Sequence, residues 1–114
     1  MNKFKVYKRL ALKQQAGVQA LTLSAALTIT TDLHGQFLKL TPTATRVVTL
    51  PAEEISEGVF YVITNSAASG SGFDLTVKND NGDTIATLNP VEQATFLCSG
   101  TAWAHMGIIT VSLT

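Results

Sequence analysis

The sequence predicts an all-β chain: an antiparallel β-sandwich or jelly-roll-like barrel of about eight or nine short strands behind an extended N-terminal arm. Three observations carry that expectation. In LTLSAALTIT, residues 21–30, Leu21, Leu23, Leu27 and Ile29 occupy odd positions, and Thr22, Ser24, Thr28 and Thr30 the even ones; a period of two is the mark of a half-buried strand. VFYVIT at 59–64 is apolar on both faces of a strand, as a central strand covered from both sides requires. Pro, Gly, Asn-Gly and Ser-Gly signals then punctuate the chain at short intervals, leaving little room for long helices.

Residues 1–20 read as a basic arm and residues 21–114 as one sandwich domain. In the arm, Phe4 and Val6 alternate with Lys3, Lys5 and Tyr7 as an extended strand would, while Leu10, Gln14 and Val18 suit a short helix equally well. The echo of LTLS in LTIT allows a bend at Ser24–Ala26. Asp32–Gly35 is a turn. Gln36–Leu40 follows as a strand with Phe37 and Lys39 on one face and Leu38 and Leu40 on the other. Thr41-Pro42-Thr43 punctuates it, and Arg46–Leu50 resumes the sheet until Pro51, which lacks an N–H, ends the ladder. Ala52–Glu57 suits a single helical turn. SAASGSG at 66–72 is a loop by composition. Phe73, Leu75 and Val77 alternate with Asp74, Thr76 and Lys78, and Asn81-Gly82 signals a type I′ hairpin turn. That turn sets Val77 opposite Ala86 and Leu75 opposite Leu88. Thr95–Cys98, Ala102–Met106 and Ile108–Leu113 complete the strands, the last either paired within the fold or offered to a neighbour as an edge.

The 114 residues are enough for one core. The charged fraction of 14% is low, against about a quarter in ordinary globular chains. Net charge is zero but unevenly spread. Residues 1–31 carry Lys3, Lys5, Lys8, Arg9 and Lys13 with no acid, while the remainder sets three bases against eight acids. A basic arm on an acidic body implies a partner for the arm. That partner is expected to be protein rather than nucleic acid, because the acidic body repels phosphate. The single cysteine, Cys98, excludes an internal disulfide. With no run of about 18 apolar residues, no transmembrane helix or membrane partner is expected.

Residue types for catalysis are sparse. His34 and His105 are the only histidines, and no serine sits on a GxSxG elbow. Cys98 and His105 are too few for a metal site, NDNGD at 79–83 lacks the calcium-loop spacing, and no glycine-rich phosphate loop opens a helix. No catalytic residue, cofactor or metal is expected, and Trp103 is expected to close the end of the core. The acidic group Glu53, Glu54 and Glu57 reads as a solvated turn.

The segments ALTITTDLHGQFLKLTPTATRVVTLPAEEISEGVFYVITNSA and FDLTVKNDNGDTIATLNPVEQATFLCSGTAWA resemble a β-module of tailed-phage structural proteins. The shared elements are a strand ending in VTLPA, an apolar strand ending in xNxA, a Leu-Thr-Val-Lys strand, a Gly-x-Thr-Ile hairpin and a closing Ser-Gly-Thr-Ala-Trp. The resemblance covers about residues 26–105 and implies a capsid decoration (cement) or head-fibre protein. Such a protein is made in the host cytoplasm and held on the outer surface of the virion as a homotrimer bound to the major capsid protein. Lys3, Phe4, Lys5, Tyr7, Lys8, Arg9 and Lys13 of the arm would be the capsid-contact residues. The alternative is a tail-associated fibre or receptor-binding module that adheres to the host surface.

Overall fold

The computed structural model describes residues 15–113. It contains nine strands, β1 (Gln15–Leu23), β2 (Leu27–Thr28), β3 (Gly35–Pro42), β4 (Arg46–Thr49), β5 (Phe60–Asn65), β6 (Leu75–Lys78), β7 (Thr84–Leu88), β8 (Glu92–Cys98) and β9 (Trp103–Thr110), with one 3-10 turn at Glu53–Ile55. The all-β class and strand number agree with the sequence expectation. β1 takes in residues 15–20, which had been assigned to the arm. Ala102–Met106 and Ile108–Leu113 form one strand rather than two, bulged where Gly107 adopts φ 93°.

The strands form a five-stranded sheet in the order β1-β3-β5-β8-β9 and a four-stranded sheet in the order β2-β4-β6-β7. The expectation of antiparallel pairing throughout is corrected. β1–β3, β3–β5, β2–β4 and β4–β6 are parallel, and β5–β8, β6–β7 and β8–β9 are antiparallel. The cause lies in the bends. At Ser24–Ala26 and Thr43–Thr45 the chain leaves one sheet and enters the other, and the longer 66–74 loop does the same. Three successive passes, β1 to β2, β3 to β4 and β5 to β6, therefore lie side by side in the same direction. The crossover that a parallel pair requires is supplied here by a strand of the facing sheet.

The odd-numbered alternation at 21–29 survives the change of sheet: Leu23 and Ile29 are buried on either side of the bend, while Ser24, Ala25 and Ala26 are exposed. Arg46 braces the bend, its Nε donating to the Leu23 carbonyl oxygen at 3.2 Å and its Nη2 to the Thr43 hydroxyl at 2.9 Å. Gln19 of β1 ties down the 30–35 turn, accepting from the Gly35 N–H and donating to the Leu33 carbonyl oxygen.

The core lies between the sheets. Leu38, Leu40, Tyr61, Ile63 and Phe96 of the larger sheet face Val48, Leu75, Val77 and Leu88 of the smaller, all essentially inaccessible. Each such side chain contributes about 1.5–3 kcal/mol of burial. The predicted partners Leu75–Leu88 and Val77–Ala86 are found as expected. The turn between them is not type I′, because of its two central residues only Gly82 has positive φ. Instead the Gly82 N–H donates to the Asn79 carbonyl oxygen, and the Asn79 side chain accepts from the N–H groups of Asn81 and Asp83. This is a longer loop with a glycine bulge, which absorbs the shift that pairs Lys78 with Thr84.

The polar side chain of Asn65 is wholly enclosed. Asn65 Nδ2 donates to the carbonyl oxygens of Phe73 and Leu88 at 2.9 Å each, and its Oδ1 accepts from the Ala67 N–H at 3.0 Å. It fixes where β5 ends and where the chain departs for the other sheet.

Candidate binding surface

The chemistry-bearing side chains are used structurally. His34 Nδ1 accepts from the Thr30 N–H at 2.9 Å, closing the 30–34 turn. His105 Nδ1 accepts from the Gly107 N–H at 3.1 Å and supports the β9 bulge. The buried Cys98 thiol donates to the Glu53 carbonyl oxygen at 3.5 Å. Trp103 is buried at the start of β9, stacks at a tilt 6.0 Å from Tyr61, and donates from Nε1 to the Pro51 carbonyl oxygen; it closes the core as its position in the sequence implied. Among the described residues, no group of three or more His, Cys, Asp or Glu is placed to hold a metal.

Two titrating groups are perturbed. Tyr61 is pushed up to about 12, first by burial and then by the negative charge of Asp32. Glu53, expected in a solvated turn, is instead mostly buried. A backbone hydrogen bond pulls its carboxyl down, but burial and the neighbouring Asp80 and Glu54 outweigh that and leave it raised. A hollow of about 420 Å³ lies between the 28–32 segment and the 49–55 segment, with Asp80 among its lining residues. Its walls are mostly threonine and aliphatic side chains, with Asp32 beside them.

The outer face of the five-stranded sheet is different. Parallel register aligns Val18, Phe37 and Val62 across β1, β3 and β5. Antiparallel register continues the surface through Phe60, Leu97 and Ala104. Beyond the Val62 row, on the side away from Phe60, runs a polar line of Lys39, Thr64 and Gln93, in which Gln93 donates to the Thr64 hydroxyl at 2.7 Å. A groove of about 560 Å³ crosses the face, floored by Val18, Phe37, Val62 and Thr64 and walled by Val111 and Leu113. Val18 is 72% exposed.

VFYVIT predicted a strand covered from both sides. β5 is indeed the middle strand of its sheet, with Tyr61 and Ile63 in the core. Its other face, carrying Phe60 and Val62, is only half-buried, with no second layer over it among the described residues. The structure thus finds an apolar outer face that periodicity alone had assigned to the interior. The signal was in the sequence, as apolar residues on the outward positions of three strands; only the layer count was needed to read it as surface.

The arm residues Lys3, Phe4, Lys5, Tyr7, Lys8, Arg9 and Lys13 lie outside the described residues. No family model matches the chain, and no curated protein or solved structure matches it.

Proposed function

We propose that this chain is a structural adhesive of a tailed-phage head, a capsid decoration protein that binds the outer surface between coat subunits and strengthens the shell. Its partners are the major capsid protein and further copies of itself, a homotrimer by the resemblance noted above, and it acts without a cofactor or a catalytic step. The observation that carries this reading is the apolar outer face of the five-stranded sheet, over which no second layer lies among the described residues; in the sequence the basic arm immediately precedes β1 of that sheet. A grooved, almost uncharged face suits burial against a protein, and the positive segment that precedes β1 in the sequence would steer that encounter. Together they make two linked contacts, so that a modest area gains by avidity.

The test is to add the chain to purified heads that lack it and measure occupancy. Removing residues 1–14 should leave a folded body with greatly reduced occupancy, and Val62→Asp should weaken binding of the full chain. Labelled chain found at the tail, or binding host envelopes in place of heads, would favour a receptor-binding module.

A further inference from the structure

The strand directions collect most of the acidic side chains at one end of the sandwich. β2, β4 and β6 run parallel, so Thr28, Thr49 and Lys78 lie side by side. The segments that follow them meet at that end: the 30–34 turn, the 51–57 segment and the 79–83 loop. They carry Asp32, Glu53, Glu54, Glu57, Asp80 and Asp83, six of the chain's eight acids, and Lys78 is the one described base beside them. Asp74 and Glu92 lie at the opposite end, where β6 and β8 begin. The hollow of about 420 Å³ sits in the acidic end, with apolar walls from Ile29, Leu50, Pro51 and Ile55 and with Asp32 and Asp80 among its lining residues. The chain also enters the sandwich there. β1 runs parallel to β3 with Gln15 in register with Gly35, and the Gln19 side chain of β1 binds Leu33 and Gly35 of the adjoining turn. Residues 1–14, outside the described residues, therefore join the body next to the turn that forms one wall of the hollow.

We infer that residues 1–14 dock on this acidic end of their own chain, with the apolar Leu10 and Leu12 in the hollow and the bases around them on its carboxylates. Three features select that occupant. The first is charge. Lys3, Lys5, Lys8, Arg9 and Lys13, with no acid among them, complement the end of the sandwich where the acids collect. Leu10 and Leu12 stand between Arg9 and Lys13, as the apolar walls stand between Asp32 and Asp80. The second is reach. A segment of 14 residues spans up to about 46–50 Å when extended, and the hollow begins at the turn beside its point of attachment. The third is the tether. A segment joined so close to its site has an effective concentration near the millimolar range, which a separate basic peptide would have to exceed. The hollow shares no lining residue with the outer-face groove, so the two surfaces do not compete.

The inference describes the free chain, from which the arm would be released on meeting the shell, and its test uses no heads, so it stands or falls apart from the shell reading. Full-length chain is digested briefly with trypsin. Cleavage after Lys5, Lys8, Arg9 and Lys13 is followed by mass spectrometry beside a synthetic peptide of residues 1–20. Docking predicts slower cleavage in the protein than in the peptide, at a rate independent of protein concentration. Asp32→Asn with Asp80→Asn, two exposed side chains, should speed cleavage roughly threefold or more, while Asp74→Asn at the other end should leave it unchanged. Far-UV circular dichroism verifies folding, and if the double variant does not fold, Asp80→Asn alone serves in its place. Equal cleavage of protein and peptide, cleavage indifferent to the paired change, or an equal effect of Asp74→Asn overturns the inference. Protection that fades on dilution overturns it as well, giving the acidic end to the arm of a second copy.

Discussion

The Trp103 indole N–H donates to the Pro51 carbonyl oxygen at 2.8 Å, joining two residues 52 positions apart in the chain. This bond secures the first residue of β9 to the segment that follows β4, so the end of the sandwich is closed by a single side chain. Trp103→Phe keeps most of the apolar area but leaves the Pro51 carbonyl without that donor in a buried site. It should cost about 1–3 kcal/mol, measured as a lower midpoint in denaturant unfolding.

Asn65 makes three side-chain hydrogen bonds in a site with no exposure. Asn65→Ala abandons two carbonyls and one N–H together. A loss of about 3 kcal/mol is expected from chemical unfolding, since each buried group left unsatisfied costs about 1–3 kcal/mol and such terms do not add fully.

The Tyr61 hydroxyl is buried and has no hydrogen-bond partner among the described residues. Tyr61→Phe removes a polar group that gains nothing in the fold, so at neutral pH the variant should be as stable as wild type or more stable by about 1 kcal/mol. Because the folded phenol is raised to about 12, the folded state favours its protonated form. That contribution is complete below the ordinary value of 10.0 and is lost as pH rises through about 12. Thermal melts in alkaline buffer should show this loss in wild type and not in Tyr61→Phe.

Glu53 provides a second pH test with the same sign. Its folded carboxyl is raised above 4.5, so its contribution is fully present below that value and disappears as pH rises through the folded pKa. Glu53→Gln should match wild type in acid and gain on it toward neutrality. Paired melting curves over that range check the trend, and a difference independent of pH would contradict it.

Much of the fold was legible in local pattern. The odd-numbered leucines at 21–29, the Leu38/Leu40 face and the Leu75–Leu88 register needed only period two and one turn signal. Strand direction was not legible. The bend at Ser24–Ala26 and the break at Thr41-Pro42-Thr43 mark where strands end, but small polar residues bend the chain equally well toward a hairpin partner or toward the facing sheet. Only long-range pairing, such as Leu21 with Leu40 and Leu40 with Asn65, decides between them. The Asn81-Gly82 turn differed for a local reason, since the Asn79 side chain competes for the N–H groups that a two-residue turn would leave to the backbone. For the candidate surface, Phe37, Phe60 and Val62 were recognised as apolar, but their exposure depends on how many layers the fold builds.

The most direct measurement is the occupancy of purified, undecorated heads by full-length Val62→Asp chain, beside wild type and beside Thr76→Asp on the half-buried face of β6 in the smaller sheet. The outer-face account predicts saturable coating by wild type and by Thr76→Asp, with at least a tenfold weaker coating by Val62→Asp. Equal coating by all three would contradict it.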